Sequence, residues 1–439
     1  MFLLIVFFAF FAMDKLLLFT FALVPISVQL TEFFPSLEYD LSLPTEPILL
    51  GILLLFIFKQ IRDRDLDKRI VKHPISYIIY FYLAWMVITT ITSTLPLVSL
   101  KYFVSKLWFI IPFFFLMVVL FKKVNNIYLS FWLYIIPFIG VIAYTLINHA
   151  PHYFSQHSAN FVMSPFYKDH TSYGAILAMY IPILLGIVSD KTFSFKHRII
   201  SFVVFALFIL ATIFSYTRAA WLSLIAAAMF FIILKLKVPF KYILIVAIAL
   251  GSVFLIYQSK IMMVLESNNQ DSSTNFKEHV QSISNVATDA SNLERINRWN
   301  CAFRMFKEKP ILGWGPGTYQ FNYAPFQFSY EKTIISTNAG DMGNAHSEYF
   351  GPLSESGILG MLSILLIVIV VYYIGIKNYY TLKDKKLKNL TLATICGLTT
   401  YFAHGFLNNF LDTDKASAPF WSFIAIIVAI DIYHNKQAE

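Results

Sequence analysis

The sequence predicts an all-α polytopic membrane protein of about twelve transmembrane helices. Three observations predict it. Of the 439 residues, 58% are hydrophobic and only 13% charged, where soluble domains carry about a quarter charged residues. The apolar residues gather into runs of spanning length, among them Ile199 to Phe214, Ile243 to Tyr257, Ile358 to Ile376 and Phe420 to Ile432 with their flanks. A hydrocarbon core about 30 Å thick needs roughly 20 helical residues to cross it. Between the runs lie short linkers rich in Lys and Arg, the residues that orient such a protein.

Taken in order, the spans are expected near 2–29 (with Asp14 and Lys15 inside it), 44–61, 75–95, 100–121, 126–147, 172–189, 199–217, 218–234 and 240–258. A long polar stretch follows, and then spans near 346–376, 390–411 and 416–433. If the spans alternate, "KQIRDRDLDKRIVKHP", "FKKVNN", "DKTFSFKHR", "KLKVPFK" and "KNYYTLKDKKLKN" share one side. The positive-inside rule makes that side cytoplasmic, with both termini, and sends the loops around 148–171 and 259–345 outside. The expected organisation is therefore 1–258 for the N-terminal helices, 259–345 for a partly helical periplasmic loop, and 346–439 for the C-terminal helices. No basic residue precedes the first apolar run, Phe2 to Ala12, so no cleavable signal is read there. The formal charge of +9 is spent on topology by this distribution, which excludes nucleic acid as the partner and leaves membrane lipids. Cys301 and Cys396 are too few and too far apart for a disulfide framework or a metal site.

The long loop divides in two. Its first half, "ESNNQDSSTNFKEHVQSISNVATDASN", is polar and reads as a surface segment. Its second half predicts a helix capped by Ser291 or Asn292 and closed before Pro310, with Leu293, Ile296, Trp299, Phe303 and Phe306 on one apolar face. Arg295 and Arg298 share a neighbouring flank, because residues three apart on a helix are neighbours. Gly313, Gly315 and Gly317 then turn the chain.

Ionisable residues at spans are the natural site candidates, since burying charge in a bilayer is costly. Arg218 stands in "IFSYTRAAWLSL", at a tight turn expected on the outer face. The same face receives Arg295, Arg298, Lys101, Lys106, Asp169 and His170. Guanidiniums converging at the rim of a membrane cavity suit an oxygen-rich dianion, because Arg stays charged and grips phosphate with a rigid fork. Lys106, deeper in its span, is the better placed of the two lysines. His346 opens "AHSEYFGPLSESGILG"; a neutral imidazole there could take a proton from a hydroxyl. Glu348 could steady it, although two residues apart on a helix they point differently. Gly351, Gly357, Gly360 and Pro352 predict a bent backbone, and Glu355 is expected to fix that bend.

These residues resemble the O-antigen ligase and polymerase superfamily. "AHSEYFGPLSESGILG" is similar to the superfamily's His-Asn-x-x-Leu-x-x-Leu-x-Glu-x-Gly-x-x-Gly signature: His346, Leu353, Glu355, Gly357 and Gly360 match, while Ser347 replaces the usual Asn and Phe350 the usual Leu. "ERINRWNCAFRMFKEKPILGWGPGTY" looks like Arg-x-x-x-Trp followed by Pro-x-x-Gly-x-Gly, through Arg295, Trp299, Pro310, Gly313 and Gly315. "SYTRAAW" resembles the Ser-x-x-Arg stretch, with Arg218. The resemblance implies a helical glycosyltransferase type C fold in the bacterial inner membrane. It also implies metal-independent, inverting transfer of a glycan from undecaprenyl diphosphate to an acceptor hydroxyl, with no cofactor. The acceptor would be lipid A–core for a ligase, a growing polysaccharide for a polymerase, or a protein for a related transferase. On that reading His346 is the catalytic base and Arg218, Arg295, Arg298 and Lys106 hold the diphosphate. Glu348, Glu355, His170 and Lys101 are supporting residues. The ligase reading ranks first. Secondary transport, the rival suggested by twelve helices, fits less well, because the ionisable residues gather at one face instead of the bilayer midplane.

Overall fold

The computed structural model describes residues 12–34, 41–63, 66–239, 241–242, 245, 252, 290–332 and 343–435. Its long helices are α1 (Met13–Leu23), α2 (Thr45–Asp63), α3 (Pro74–Ile91), α4 (Pro96–Leu120), α5 (Val124–His149), α6 (His170–Ser189), α7 (Phe195–Phe214) and α8 (Arg218–Lys235). They continue with α9 (Ala290–Glu308), α10 (Phe350–Thr381), α11 (Lys385–His404) and α12 (Asp414–Ala429). Pairing of Val28–Gln29 with Ser42–Leu43 is the one two-stranded ladder among the described residues. The fold is all-α and membrane-spanning, as the composition predicts.

Eight of these helices are long and apolar enough to cross a bilayer by themselves. α11 is not among them, and the reason is physical. It packs between α6 and α8 with nearly every residue from Leu390 to His404 buried. Lipid therefore does not select its surface. Its threonines are tolerated because each hydroxyl bonds back to its own helix: Thr391 to the Leu387 carbonyl, Thr394 to Leu390 and Thr399 to Ile395, all at 2.8 Å.

Two expected boundaries move. The first span stops at Leu23, where Val24–Ile26 tightens into a 3-10 turn around Pro25 and the chain becomes extended; proline cannot continue the hydrogen-bond ladder. Residues 2–11 lie outside the described residues, as do almost all of 240–258, the loop's first half and the 258/259 boundary. α11 starts at Lys385, because Asp384 caps it by accepting from the Lys386 and Leu387 amides.

The interior is built on aromatic edges. Phe138 meets Tyr173 and Phe208 edge to face at 5.7 and 5.5 Å, a geometry that aligns ring edge with ring face. α12 is enclosed along its whole length, and internal hydrogen bonds hold its polar start. Asp414 Oδ2 accepts the hydroxyls of Ser27 and Thr45 at 2.6 and 2.5 Å. Lys415 Nζ donates to the carbonyls of Val24 and Ser27, both at 2.6 Å. A buried charge is stable only when paired in this way, and here the pairing ties α1 and α2 to α12.

α10 carries the bend that its glycines and proline predict. Gly357 has φ 67° and ψ −166° inside the helix, a region essentially closed to residues with a Cβ. The break releases Ser354 and Glu355 carbonyls, which accept the amides of Trp314 and Gly315 at 3.1 and 2.8 Å. In return the Ile358 amide donates to the Pro310 carbonyl at 3.0 Å. Residues 310–317 thus dock as a strap onto a broken helix. A Cβ on Gly357 would collide with the Ile311 carbonyl, and one on Gly313 with the Glu355 carbonyl.

Gly357→Ala should therefore lower the thermal midpoint in detergent by several degrees, through strain of about 1–3 kcal/mol plus loss of the docked strap. Gly51→Ala, at a helical glycine with open space around it, should leave the midpoint unchanged or slightly raised. Equal melting of the two variants would contradict the docking.

Candidate functional site

The helix ends near Ile91, His149, Phe214 and His404 lie at one end of the bundle, where α9 packs against α10 and reaches the loop after α11. α9 begins by Ala290, so Ser291 and Asn292 fall inside its first turn instead of capping it. Its buried face also differs from expectation. Glu294, Asn297, Arg298, Cys301, Ala302 and Met305 are buried, whereas Phe303 is 39% exposed. Trp299 and Phe303 pack on Phe350 at the start of α10, with ring centroids 5.2 and 5.0 Å apart. The apolar residues serve as the joint to α10, and the polar face turns inward because its groups find partners there.

Arg298 is the most enclosed of the arginines. Its Nε donates to Glu294 Oε1 at 2.8 Å, one helical turn away. Its guanidinium lies 4.0 Å from the Tyr323 ring centroid, and Tyr319 OH donates to its carbonyl at 2.8 Å. Nη1 is buried without a hydrogen-bond partner among the described residues. Arg295, on the neighbouring flank, donates from Nε to the Leu407 carbonyl at 3.1 Å. Burial holds its pKa below the ordinary arginine value, with the Asp169 charge opposing.

Arg218 is brought in by a tight turn. α7 ends at Phe214, Tyr216 adopts φ 51°, and α8 starts at Arg218. Thr217 Oγ1 donates to the His170 carbonyl at 2.6 Å, which clamps the turn to the start of α6. Asp169 caps α6 by accepting from the Ser172 amide at 2.8 Å, so its carboxylate is fixed beside the same turn. The charge of Arg295 is felt at Arg218.

His346 sits at the centre of this field. It is half-buried with φ 48°, a left-handed conformation held by its amide donating to Asn344 Oδ1 at 2.9 Å. Burial, then the positive charges of Arg295 and Arg298, pushes its pKa down to about 4, with Glu294 and Asp169 opposing. The imidazole is neutral at pH 7 and able to accept a proton. Arg218, Arg295, Arg298, Asp169, His170 and His346 thus share one end of the molecule.

The other candidates go elsewhere. The Lys106 ammonium is taken by Asp412 Oδ1 at 2.6 Å and the Leu411 carbonyl at 2.8 Å, so it belongs to a second, deeper cluster with Glu348. Lys101 is exposed on α4. Glu348 does not reach His346; its Oε1 accepts from Tyr401 OH at 2.7 Å and from the Phe410 and Leu411 amides at 2.8 and 2.9 Å. Burial, with the Asp412 charge beside it, pushes its carboxyl above the usual range. Glu355 Oε1 accepts the Tyr319 amide at 3.0 Å and so fastens the strap to the bend. Asp412 and Asp414, close neighbours in sequence, are drawn to different partners, Lys106 and the Ser27–Thr45 pair. A cavity of about 570 Å³ lies at the opposite end among Lys59, Arg62, Lys122 and Lys123, away from these groups.

Residues 202–365 match the family model for O-antigen ligase. That match, over about three-eighths of the chain, supports a place in the O-antigen ligase superfamily. The matched segment runs from α7 into α10 and takes in all three arginines, the strap, His346, Glu348 and Glu355. The match supports a membrane glycan transferase of the ligase and polymerase type. A search of curated proteins returned no match to the chain. Sequence reading missed His404, which stands outside the matched segment at the end of α11. It is 1% exposed, with Nε2 3.1 Å from Asn408 Nδ2. Its only signal in sequence was a histidine beside a glycine at the end of a span.

Titration of His346, followed by side-chain NMR of labelled protein, should give a midpoint near pH 4. Arg295→Gln should move it upward, because a repelling charge is removed. A midpoint near the unperturbed value of about 6.5 in both proteins would show that the arginine field does not reach the ring.

Proposed function

We propose that this protein is an O-antigen ligase, transferring a glycan from undecaprenyl diphosphate to a hydroxyl of lipid A–core at the periplasmic face of the inner membrane. The observation that carries the reading is a neutral imidazole in the field of Arg295 and Arg298, with Arg218 close to Arg295, at one end of a membrane bundle. The acceptor oxygen attacks the anomeric carbon, the bond to the diphosphate oxygen breaks, and the acceptor's proton passes to His346. One displacement inverts the configuration. Arg218, Arg295 and Arg298 meet the negative charge that develops on the departing diphosphate, which is usually the larger catalytic contribution. His346 adds base catalysis of about 10²–10⁴-fold. The cations make a metal ion unnecessary for the leaving group. The basic linkers 59–73, 122–123, 191–198, 235–241 and 377–388 would then face the cytoplasm with both termini, and the loop 259–345 would form the periplasmic unit.

The field has a kinetic consequence. The arginines that depress the basicity of His346 are those the diphosphate would neutralise. Donor binding therefore raises the pKa of the imidazole and arms it after the donor is in place.

Deleting the gene should remove capped lipid A–core altogether. Single-repeat capping would point to a polymerase and unglycosylated secreted protein to a protein-directed transferase, and either would overturn the ligase assignment. His346→Ala should lower turnover in a lipid-linked donor assay by about 10²–10⁴-fold, and activity should persist in excess chelator. The acid limb of kcat/KM for the donor should fall near pH 4 and that of kcat at distinctly higher pH. Coincident limbs would remove donor-armed base catalysis.

A further inference from the structure

The loop after α11 holds Arg295, Glu348 and Lys106, yet no candidate residue came from it. Gly405 accepts the Glu348 amide at 2.8 Å. The Phe410 and Leu411 amides donate to the Glu348 carboxylate, and the Leu411 carbonyl and Asp412 carboxylate hold Lys106. Between these anchors the Leu407 carbonyl accepts Arg295 Nε. Leu407 is 112 residues away from its partner in sequence, and its carbonyl is one of the contacts that fix where the guanidinium points.

One contact sets the carbonyl. The His404 carbonyl accepts the amides of Leu407 and Asn408 at 2.9 and 3.1 Å, closing a turn. Asn408 Nδ2 donates back to His404 Nε2 at 3.1 Å, so the turn is fastened by side chains as well as backbone. Both side chains are buried, at 1% and 4% exposed, and the His404 ring packs on Phe410 with centroids 5.7 Å apart. With Nε2 accepting, the ring's proton is on Nδ1. A buried amide–imidazole clip in this position holds the residue 407 carbonyl still, and with it the fork of Arg295.

We infer that His404 and Asn408 are positioning residues that set Arg295 against the diphosphate of the lipid-linked donor. The inference rests on the proposed transfer reaction and extends it to a pair outside the family match. Neither side chain touches the reacting atoms in this scheme. Their loss weakens the grip on the donor and leaves the proton acceptor, His346, in place.

The test uses the full chain in nanodiscs with a lipid-linked glycan donor. Asn408→Ala should raise KM for the donor about tenfold, with kcat changed less than threefold and the acid limb of kcat unmoved. Arg295→Gln should raise donor KM at least as much and lower kcat as well, because its charge also meets the leaving group, and the Asn408→Ala, Arg295→Gln double variant should be no worse than Arg295→Gln alone. His404→Gln, which keeps a group able to bond Asn408, should retain donor KM within about threefold, whereas His404→Ala should not. Asn408→Ser, which leaves the buried ring in place, supplies the same comparison if Asn408→Ala does not fold. Unchanged donor KM in folded Asn408 variants would overturn the clip while leaving the transfer reading standing. Additive effects of Asn408→Ala and Arg295→Gln would also overturn it. Absence of transfer by the wild-type protein would overturn the transfer reading, and the clip with it.

Discussion

The site end of this molecule depends on a helix that is allowed to break. An unbroken α10 would satisfy its own amides and carbonyls and offer nothing to the strap. Because Gly357 leaves helical geometry, the carbonyls of Ser354 and Glu355 and the amide of Ile358 become available at membrane depth. A bilayer leaves no backbone polar group unpaired cheaply. The strap 310–317 supplies those partners and the break supplies the strap's. Each is stable only with the other, so α9, which precedes the strap, is held in register with His346, which precedes the break.

Electrostatics follows from that register. Arginines collected near one imidazole repel its proton, and the surrounding acids are engaged elsewhere. Glu294 is paired with Arg298, Asp169 caps a helix, and Glu348 binds backbone amides. The result is a cationic basin with a neutral base in it.

A second layer of polar residues keeps the first in place. Lys106, Asp412, Glu348 and Tyr401 bond to one another or to the loop after α11. They join α4, α10 and α11 beneath the basin. Seen from the sequence, Lys106 and Glu348 looked like members of the site itself, because charge in a span attracts suspicion. Their partners come from distant parts of the chain, and no local pattern announces that a lysine is already engaged.

By itself, the sequence determined what short-range physics can determine. Apolar run length gave an all-α membrane-spanning fold, the Gly and Pro content of 351–360 gave a bent segment, and residue chemistry singled out Arg218, Arg295, Arg298 and His346 as candidates for an anion and a proton. Even so, α11 shows where hydropathy stops being informative: a helix surrounded by protein is under no pressure to be greasy. Only the tertiary structure decided which face of α9 is buried, that Lys106 belongs to Asp412, and that His404 and Asn408 bear on Arg295. Those outcomes depend on contacts between distant segments, and a contact is a property of two surfaces that the chain brings together only after it has folded.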